Sequence, residues 1–497
     1  MAVGFSNIPA GDGVKTPLFF AEMDNSMANS ATSSMRRLIV GVVNDTSVEP
    51  EIGKLTAVGS VADAKRIGGE GSMLAQMYEI WRKNDALGET WVLPIKQTEG
   101  TAAAGSVKIT GTATEAGMLT VYVAGKRLQV TVSKGMTSTE AGAALEKAIT
   151  EASSLPVSAK ATTGTVALTS KFKGTAGNDI AVELNRGGRA SGEVTPAGLT
   201  VEITAMANGT GVPDFTEALA AMGDEAFEFI CMPFADTASL DAWRDFMCDE
   251  TGRWSFTKQL YGHVYSALRG TYSELVTAGG KRNDQHMTVV GVEKDAPNPV
   301  WEHAAAFAAR VAVFISADPA RPVQTGTLVG ITPSRPEGRF TQFPERNALL
   351  GYGIATTYTT GGVQCIERAV TTYQKNKFSQ PDTSYMDAET LHTSSYVIQY
   401  LRGIITSKFA RSKLANDGTR FGSGQPIVTP KVIRGELIAA YAKLENIGIV
   451  ENADAFAEAL IVERDPVSVN RVNVLLPPDY VNQLRVFALL NQFRLQY

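Results

Sequence analysis

Three cysteines, Cys231, Cys248 and Cys365, and four histidines, His263, His286, His303 and His392, carry the side-chain chemistry that could attack a carbonyl, relay a proton or hold a soft metal. Their spacing does not assemble such a centre. The cysteines are widely spread with no CxxC step, which argues against a zinc site or a disulfide framework. The histidines fall on different predicted elements, so a Cys365 nucleophile needs one of them delivered by the fold, and a buried structural thiol is the simpler reading. Asp249-Glu250, and Asp236 with Asp241, offer paired carboxylates, but at helix ends, where solvated charge is the usual role. Gly351-Tyr352-Gly353 lacks the third glycine of a dinucleotide turn, and Gly209-Thr210-Gly211 runs into Pro213 rather than opening a helix. No GxxxxGK[ST], HExxH or GxSxG stretch occurs. No catalytic, metal-binding or cofactor-binding residue is therefore assigned, and no cofactor is expected.

Two features stand out in place of a catalytic cluster. Between 402 and 420 the chain holds Arg402, Lys408, Arg411, Lys413 and Arg420 against Asp417 alone. On a helix, Lys408 and Arg411 share one side and Arg402 and Lys413 another, so the charge is a patch rather than a stripe. At the end of the sequence Phe487, Leu489, Phe493, Leu495 and Tyr497 alternate with Gln492, Arg494 and Gln496. That period of two is a half-buried strand pattern. It fits either a strand in the chain's own sheet or one donated to a neighbour's sheet edge through main-chain hydrogen bonds. Near the other end, Leu18-Phe19-Phe20 follows a stretch broken by Gly4, Pro9, Gly11, Gly13 and Pro17 and reads as an extended apolar arm.

The elements that must position these features alternate between strand and helix. Residues 38–43 predict a strand; Ser60, with Asp63 three residues on, caps a short helix stopped at Gly68; and Ser72 caps a second, with Leu74, Met77, Ile80 and Trp81 at helical spacing. Residues 90–96 return as a strand. Composition then shifts between about 101 and 208, where Tyr122 and Phe172 are the only aromatic residues and Thr, Ala, Gly and Val form short runs around one helix at 138–152. We read this as a β-rich insertion with adjacent ends, peripheral enough for a short linker to replace it. From 213 the alternation resumes, with strands at 228–232, 263–268 and 287–292 and helices at 239–249, 273–278 and 301–314. A proline-rich stretch follows Arg321. Two long helices come next, 387–413 with Leu391, Ile398, Leu401 and Ile405 on one stripe, and 430–448 with Ile433, Leu437, Leu444 and Ile447 inward. Strands at 472–476 and 485–497 end the chain.

Lys and Arg total 46 against 51 Asp and Glu, a formal charge of -5, so bulk charge carries no nucleic-acid footprint. Hydrophobic residues at 44% exclude wholesale disorder. The longest apolar runs, such as 311–315, fall far short of the ~20 residues that span a bilayer, and the expectation is a soluble protein made in a reducing cytoplasm.

The last third of the sequence resembles the contractile tail sheath proteins of bacteriophages, most closely the Mu-like ones. The stretches that carry the resemblance are Ile331-Thr332-Pro333, Phe340-Thr341, Glu345-Arg346-Asn347, and Ile366-Glu367-Arg368-Ala369-Val370-Thr371-Thr372-Tyr373. Beyond them come Lys413-Leu414-Ala415-Asn416-Asp417-Gly418-Thr419-Arg420, Val462-Glu463-Arg464-Asp465 and Leu475-Leu476-Pro477-Pro478-Asp479. In the first hundred residues Val61-Ala62-Asp63-Ala64 and Gly68-Gly69-Glu70-Gly71 are similar in kind. The resemblance implies a structural protein rather than an enzyme, with subunits in stacked hexameric rings around a tail tube that contract to drive the tube through the host envelope.

The expected fold is mixed α+β and multidomain. It comprises an N-terminal arm (1–30), an α/β middle domain (31–100 with 211–330), the β-rich outer insertion (101–210), a C-terminal sheath core facing the tube (331–484) and a C-terminal arm (485–497). Leu18, Phe19, Phe20, Phe487, Leu489, Phe493, Leu495 and Tyr497 are the intersubunit candidates. Arg402, Lys408, Arg411 and Lys413 are the tube-facing ones, and Gly11, Gly13 and Pro478 the hinges. Expected partners are further copies of the chain and the tail tube, baseplate and tail terminator proteins, with no direct nucleic acid and no membrane insertion. The place of action is the virion tail, reached from the host cytoplasm. A non-contractile tube or baseplate subunit, and an α/β enzyme, are the rival readings.

Overall fold

β1 (Arg37–Val42) is a six-residue run, RLIVGV, buried along its whole length, as a strand with helices on both faces must be. It pairs in parallel with β3 (Thr90–Ile95), in the register Leu38 to Trp91, and with β11 (Phe229–Cys231), in the register Leu38 to Ile230. A computed structural model describes residues 35–45, 53–422 and 424–496 of the chain. Among these, eight strands form the central sheet in the order β15-β14-β13-β12-β11-β1-β3-β2. The remaining members are β2 (Thr56–Ala57), β12 (His263–Gly270), β13 (Met287–Glu293), β14 (Ile354–Thr360) and β15 (Val363–Arg368). Between β1 and β3 lie α1 (Val61–Gly68) and α2 (Met73–Asn84), capped by Ser60 and Ser72 as the sequence predicts.

α2 can lie against β1 because residue 41 is glycine: a Cβ there would stand 3.0 Å from the Leu74 backbone. Beside α2 runs α7 (Val300–Ala317), whose Ala304, Ala305, Ala306, Ala308, Ala309 and Ala312 are all fully buried and let it approach the sheet closely. By length and composition α7 could cross a bilayer, but 67% of it is buried inside the fold, which makes it a core helix. The other face of the sheet carries α6 (Tyr272–Gly279), whose Leu275 lies against Gly270 and Gly291. α4 (Thr216–Ala221) and α5 (Thr237–Met247) flank β11 in sequence, and α8 (Phe343–Gly351) precedes β14.

The segment after β3 builds two sheets, β10-β4-β8-β7 and β6-β5-β9, around α3 (Ser138–Glu151), whose Thr137 and Glu140 form a reciprocal capping box. Its strands are β4 (Ala102–Gly111), β5 (Gly117–Val123), β6 (Lys126–Val132), β7 (Val157–Thr162), β8 (Thr165–Lys173), β9 (Val182–Leu184) and β10 (Leu199–Ala207). Thr101 and Thr210 are bridged, so the chain leaves and returns at one place.

The segment is not a loose appendage, contrary to the reading of a replaceable periphery. It sits on the carboxyl ends of the parallel strands. The Asp45 amide after β1 donates to the Lys171 carbonyl at 3.0 Å, and the fully buried Phe172 ring meets Trp301 edge-on at 5.7 Å. Arg269, near the end of β12, pairs with Asp179 at 2.5 Å, and that carboxylate also accepts the Val300 amide that opens α7, at 2.6 Å. Composition alone conceals this, because the contacts come from single residues scattered along the segment, such as Lys171, Phe172 and Asp179.

β14 and β15 lie in the central sheet, although the sequence reading assigns residues from 331 to the next domain. The proline-rich stretch before them does not separate domains; it runs along the outer edge of β15, with the Thr325 amide donating to Ile366 and the Leu328 amide to Gln364, and so covers a sheet edge.

The C-terminal part packs α9 (Ala388–Phe409) against α10 (Pro430–Asn446) and α11 (Ala453–Ala459) through Val397, Leu401, Leu437, Tyr441 and Leu444, with the Tyr441 and Phe456 rings stacked at 3.7 Å. Of the predicted stripe on α9, Leu391 and Leu401 are buried and Ile405 packs partly against the same core, whereas Ile398 is exposed; the inward face also carries His392, Thr393, Ser395 and Val397. Those polar groups can turn inward because each is satisfied, Thr393 by the Pro319 and Glu389 carbonyls and His392 by the Tyr265 hydroxyl. On α10, Ile447 is likewise exposed rather than inward. α9 also ends at Phe409; Lys413 belongs to β16 (Lys413–Leu414), paired in parallel with β17 (Ile427–Val428). β18 (Ile461–Arg464) and β19 (Val472–Leu475) form an antiparallel hairpin. Residues 485–496, expected as a further strand, join no ladder.

Candidate assembly interface

An open α/β sheet offers a ligand crevice outside the carboxyl ends of its strands where the strand order reverses, here between β1 and β11. In this chain that region is built over by the insertion. Asn44, after β1, is buried and donates to the Glu70 carbonyl, and Lys171 above it donates to the same oxygen at 3.0 Å.

The histidines serve the interior. His263 and His392 lie 5.6 Å apart between ring centres, fully buried, bonded to Thr288 and Tyr265 respectively. Burial pushes His392 and His303 down to about 3 and His263 well below its usual range. Cys231 and Cys365 are buried thiols, and among the described residues no group of three His, Cys, Asp or Glu side chains could hold a metal.

His286 differs. Burial lowers its pKa, but hydrogen bonds to Asp249 at 3.1 Å and Asp284 at 3.2 Å, with their charges, outweigh that and hold it up at about 9. A histidine raised above its unfolded value stabilises the fold fully below about 6.5, and that contribution is lost as pH rises through about 9. His286→Gln is therefore expected to flatten the alkaline limb of stability by on the order of 2 kcal/mol, read as midpoint in urea between pH 6 and 10. An unchanged slope would remove His286 as its cause.

The terminal segment has the geometry of an unfilled partner. Residues 479–485 are held: the Tyr441 hydroxyl donates to the Asp479 carbonyl, Gln483 donates to the Ala320 carbonyl at 3.1 Å, and Arg485 reaches Asp387 at 3.1 Å and Glu389 at 3.0 Å. Pro478, read from sequence as a hinge, is thus followed by seven anchored residues, because prolines mark breaks in ladders but not where side chains cease to bind. Beyond Arg485 the apolar side chains stand in the open, from Phe493 at 75% exposure to Leu495 at 94%, with Val486, Phe487, Leu489 and Leu490 between. The nearby β18–β19 hairpin also shows Ile461, Val474 and Leu475 to solvent. Leu18, Phe19, Phe20, Gly11, Gly13 and Tyr497 lie outside the described residues.

The four basic candidates do not share one element. Arg402, on α9, is exposed and acts on Tyr261. Lys408 is exposed but paired with Glu436 of α10 at 2.5 Å, a partner 28 positions away that no local pattern announces. Arg411 lies exposed just beyond the helix, and Lys413 lies in β16 near Gln425.

Two family models match this chain: the phage tail sheath protein central domain over residues 208–372 and the phage tail sheath C-terminal domain over 380–494. The Mu-like prophage FluMu tail sheath protein of Haemophilus influenzae is 40% identical across 99% of this chain and all of that one. The chain belongs to the phage tail sheath family. It is accordingly a structural protein of a phage tail and not an enzyme. Similar solved structures include sheath tail proteins from Desulfitobacterium hafniense (TM-score 0.49, 14% identity, 94% of this chain and 97% of that one) and Listeria innocua (0.48, 12%, 90% and 92%). A chain of the anti-feeding prophage baseplate is also similar (0.44, 11%, 97% and 100%).

Proposed function

We propose that this sheath chain polymerises as stacked hexameric rings around a tail tube and contracts to drive the tube through the host envelope, each copy lending residues 486–496 as a strand to a neighbour. The observation that carries the reading is the terminal segment itself: large apolar residues alternate along it, and it has no place in its own sheets. The β18–β19 hairpin is the acceptor, because two strands alone are marginal and an added third buries the side chains that both now expose. Main-chain hydrogen bonds at ~0.5–1.5 kcal/mol each, with buried Phe and Leu at ~1.5–3 kcal/mol each, would keep copies linked while rigid bodies rotate. The apolar arm at 18–20 acts likewise. In this scheme the extended sheath is a metastable packing held by a kinetic barrier, and the contracted one has the better interfaces. The layout of arm, middle domain, insertion, tube-facing core and second arm serves it, the copies assembling in the host cytoplasm with tube, baseplate and terminator proteins.

Arg402 and Arg411 carry the tube contact in this scheme, since Lys408 is already paired. Exposed charge pairs are worth only ~0.2–1 kcal/mol each, which suits a grip that must release. Reversal of both charges should reduce co-assembly with tube and leave the fold intact; unchanged co-assembly would place the contact elsewhere.

The deciding experiment is negative-stain electron microscopy of the purified chain and of a variant ending at Arg485. The full chain is expected to give tubes of two diameters, and the shortened one a folded protein that forms none. Rings that never form tubes of two diameters would favour a tube or baseplate subunit. Normal tubes from the shortened chain would end the strand-lending idea.

A further inference from the structure

The boundary between anchored and exposed chain falls on a single residue. Arg485 donates to the Asp387 and Glu389 carboxylates, to Gln324 at 3.3 Å and to the Gln483 side chain. Glu389 is fully buried, and the oxygen that takes Arg485 also accepts the Val323 amide at 3.0 Å. Asp387 precedes the first residue of α9 but does not cap it through its side chain. Its carboxylate is shared instead between Arg485 and Arg368, which binds both oxygens at 2.7 and 2.8 Å. Arg368 is the last residue of β15, at the edge of the central sheet. One carboxylate thus joins the root of the terminal segment, the start of α9 and the sheet edge.

We propose that Arg485 is the positioning residue through which a pull on the C-terminal arm is delivered to the rest of the subunit, along two routes: through Asp387 and Glu389 into α9, and through Asp387 and Arg368 into β15. The inference rests on the reading that the arm is lent to a neighbour. A guanidinium whose Nη2 is held by two carboxylates resists withdrawal, because removing it leaves the buried Glu389 carboxylate without its cation. The arm therefore cannot lengthen by peeling residues 479–485 from the body, and displacement of its tip must move α9 and β15 together. Upstream hydrogen bonds from Gln483 and Gln324 keep the segment in register but carry no charge, so the arginine sets the strength of the anchor.

Hydrogen exchange on the full-length chain tests this with Arg485→Ala and Arg485→Lys. The alanine variant should exchange residues 479–485 about a hundred-fold faster than the parent, with a smaller rise in the first turn of α9 and in β15, while α2, α7 and the insertion are unchanged. The lysine variant, which keeps the charge but loses the second nitrogen that binds Gln324, should fall between. Should the alanine variant not fold, the lysine variant decides. Unchanged protection at 479–485, or loss confined to those residues with none in α9 and β15, overturns the proposal. In polymers, the alanine variant should still form tubes that fall apart at lower urea than the parent's. Tubes lost on removal of residues 486–497 but of parental stability in the alanine variant would overturn the anchor and leave strand lending standing.

Discussion

A chain in which residues 102–209 are replaced by a short Gly/Ser linker is expected to fail to fold into a stable monomer, even though Thr101 and Thr210 are adjacent and the splice itself is geometrically easy. The replacement strips Phe172 from Trp301, leaves Arg269 facing its strand end without Asp179, and opens the Asp45 amide and the Asn44 region to solvent. Trp301 is fully buried, and uncovering it costs about 1.5–3 kcal/mol. The unpaired Arg269 adds about 3–5 kcal/mol, against a typical total of about 5–15 kcal/mol. Circular dichroism and a urea titration of the spliced chain check the expectation. A soluble, cooperatively melting product with parental stability would show that the central sheet does not need its cover.

Asp179→Ala isolates one contact from that interface. The carboxylate binds Arg269 through both oxygens and receives the Val300 amide at the start of α7, while the arginine also donates to the Ala296 carbonyl and to that of Asn298 at 2.7 Å. Both partners are largely buried, with 15% and 14% side-chain exposure, so removing one leaves a buried charge and an unsatisfied helix end. A loss of about 3–5 kcal/mol is expected, read from chemical denaturation. Asp179→Asn, which keeps an acceptor for Val300 but not the charge, should lose less. Equal losses in the two variants would mean that the ion pair contributes nothing beyond the hydrogen bond.

Local physics is where the sequence was informative. Ser60 and Ser72 announce their helices because a hydroxyl that accepts from the third residue on is a short-range event, and the apolar run at 38–43 announces a strand. The alternation after Arg485 is legible for the same reason. What could not be read is which distant surface meets which. Phe172 was visible as one of two aromatic residues in a threonine-rich stretch, but nothing local says that it packs on Trp301, 129 positions on. Lys408 looked available because Glu436 is on another helix, and Arg485 read only as the first residue of a terminal strand because Asp387 and Glu389 come about a hundred positions earlier. The inward face of α9 was legible at Leu391 and Leu401 but not at His392, Thr393 and Ser395, whose burial depends on hydrogen bonds such as those to Tyr265 and the Pro319 carbonyl.

The insertion's seat on the carboxyl edge of the sheet bears on how a crowd of such subunits behaves. A pocketed α/β domain is compliant, because the loops around an empty crevice can open and close. Here the same edge is filled by packed side chains and pinned by Asp179 to both a strand end and a helix start, and close-packed interiors of this kind compress little and pass strain on. Stiff units store little deformation inside themselves. In the array proposed above, a displacement at one contact would be handed to the next almost undiminished, and neighbours would change state together rather than one at a time. Cooperativity would then be a property of the brick as much as of the mortar.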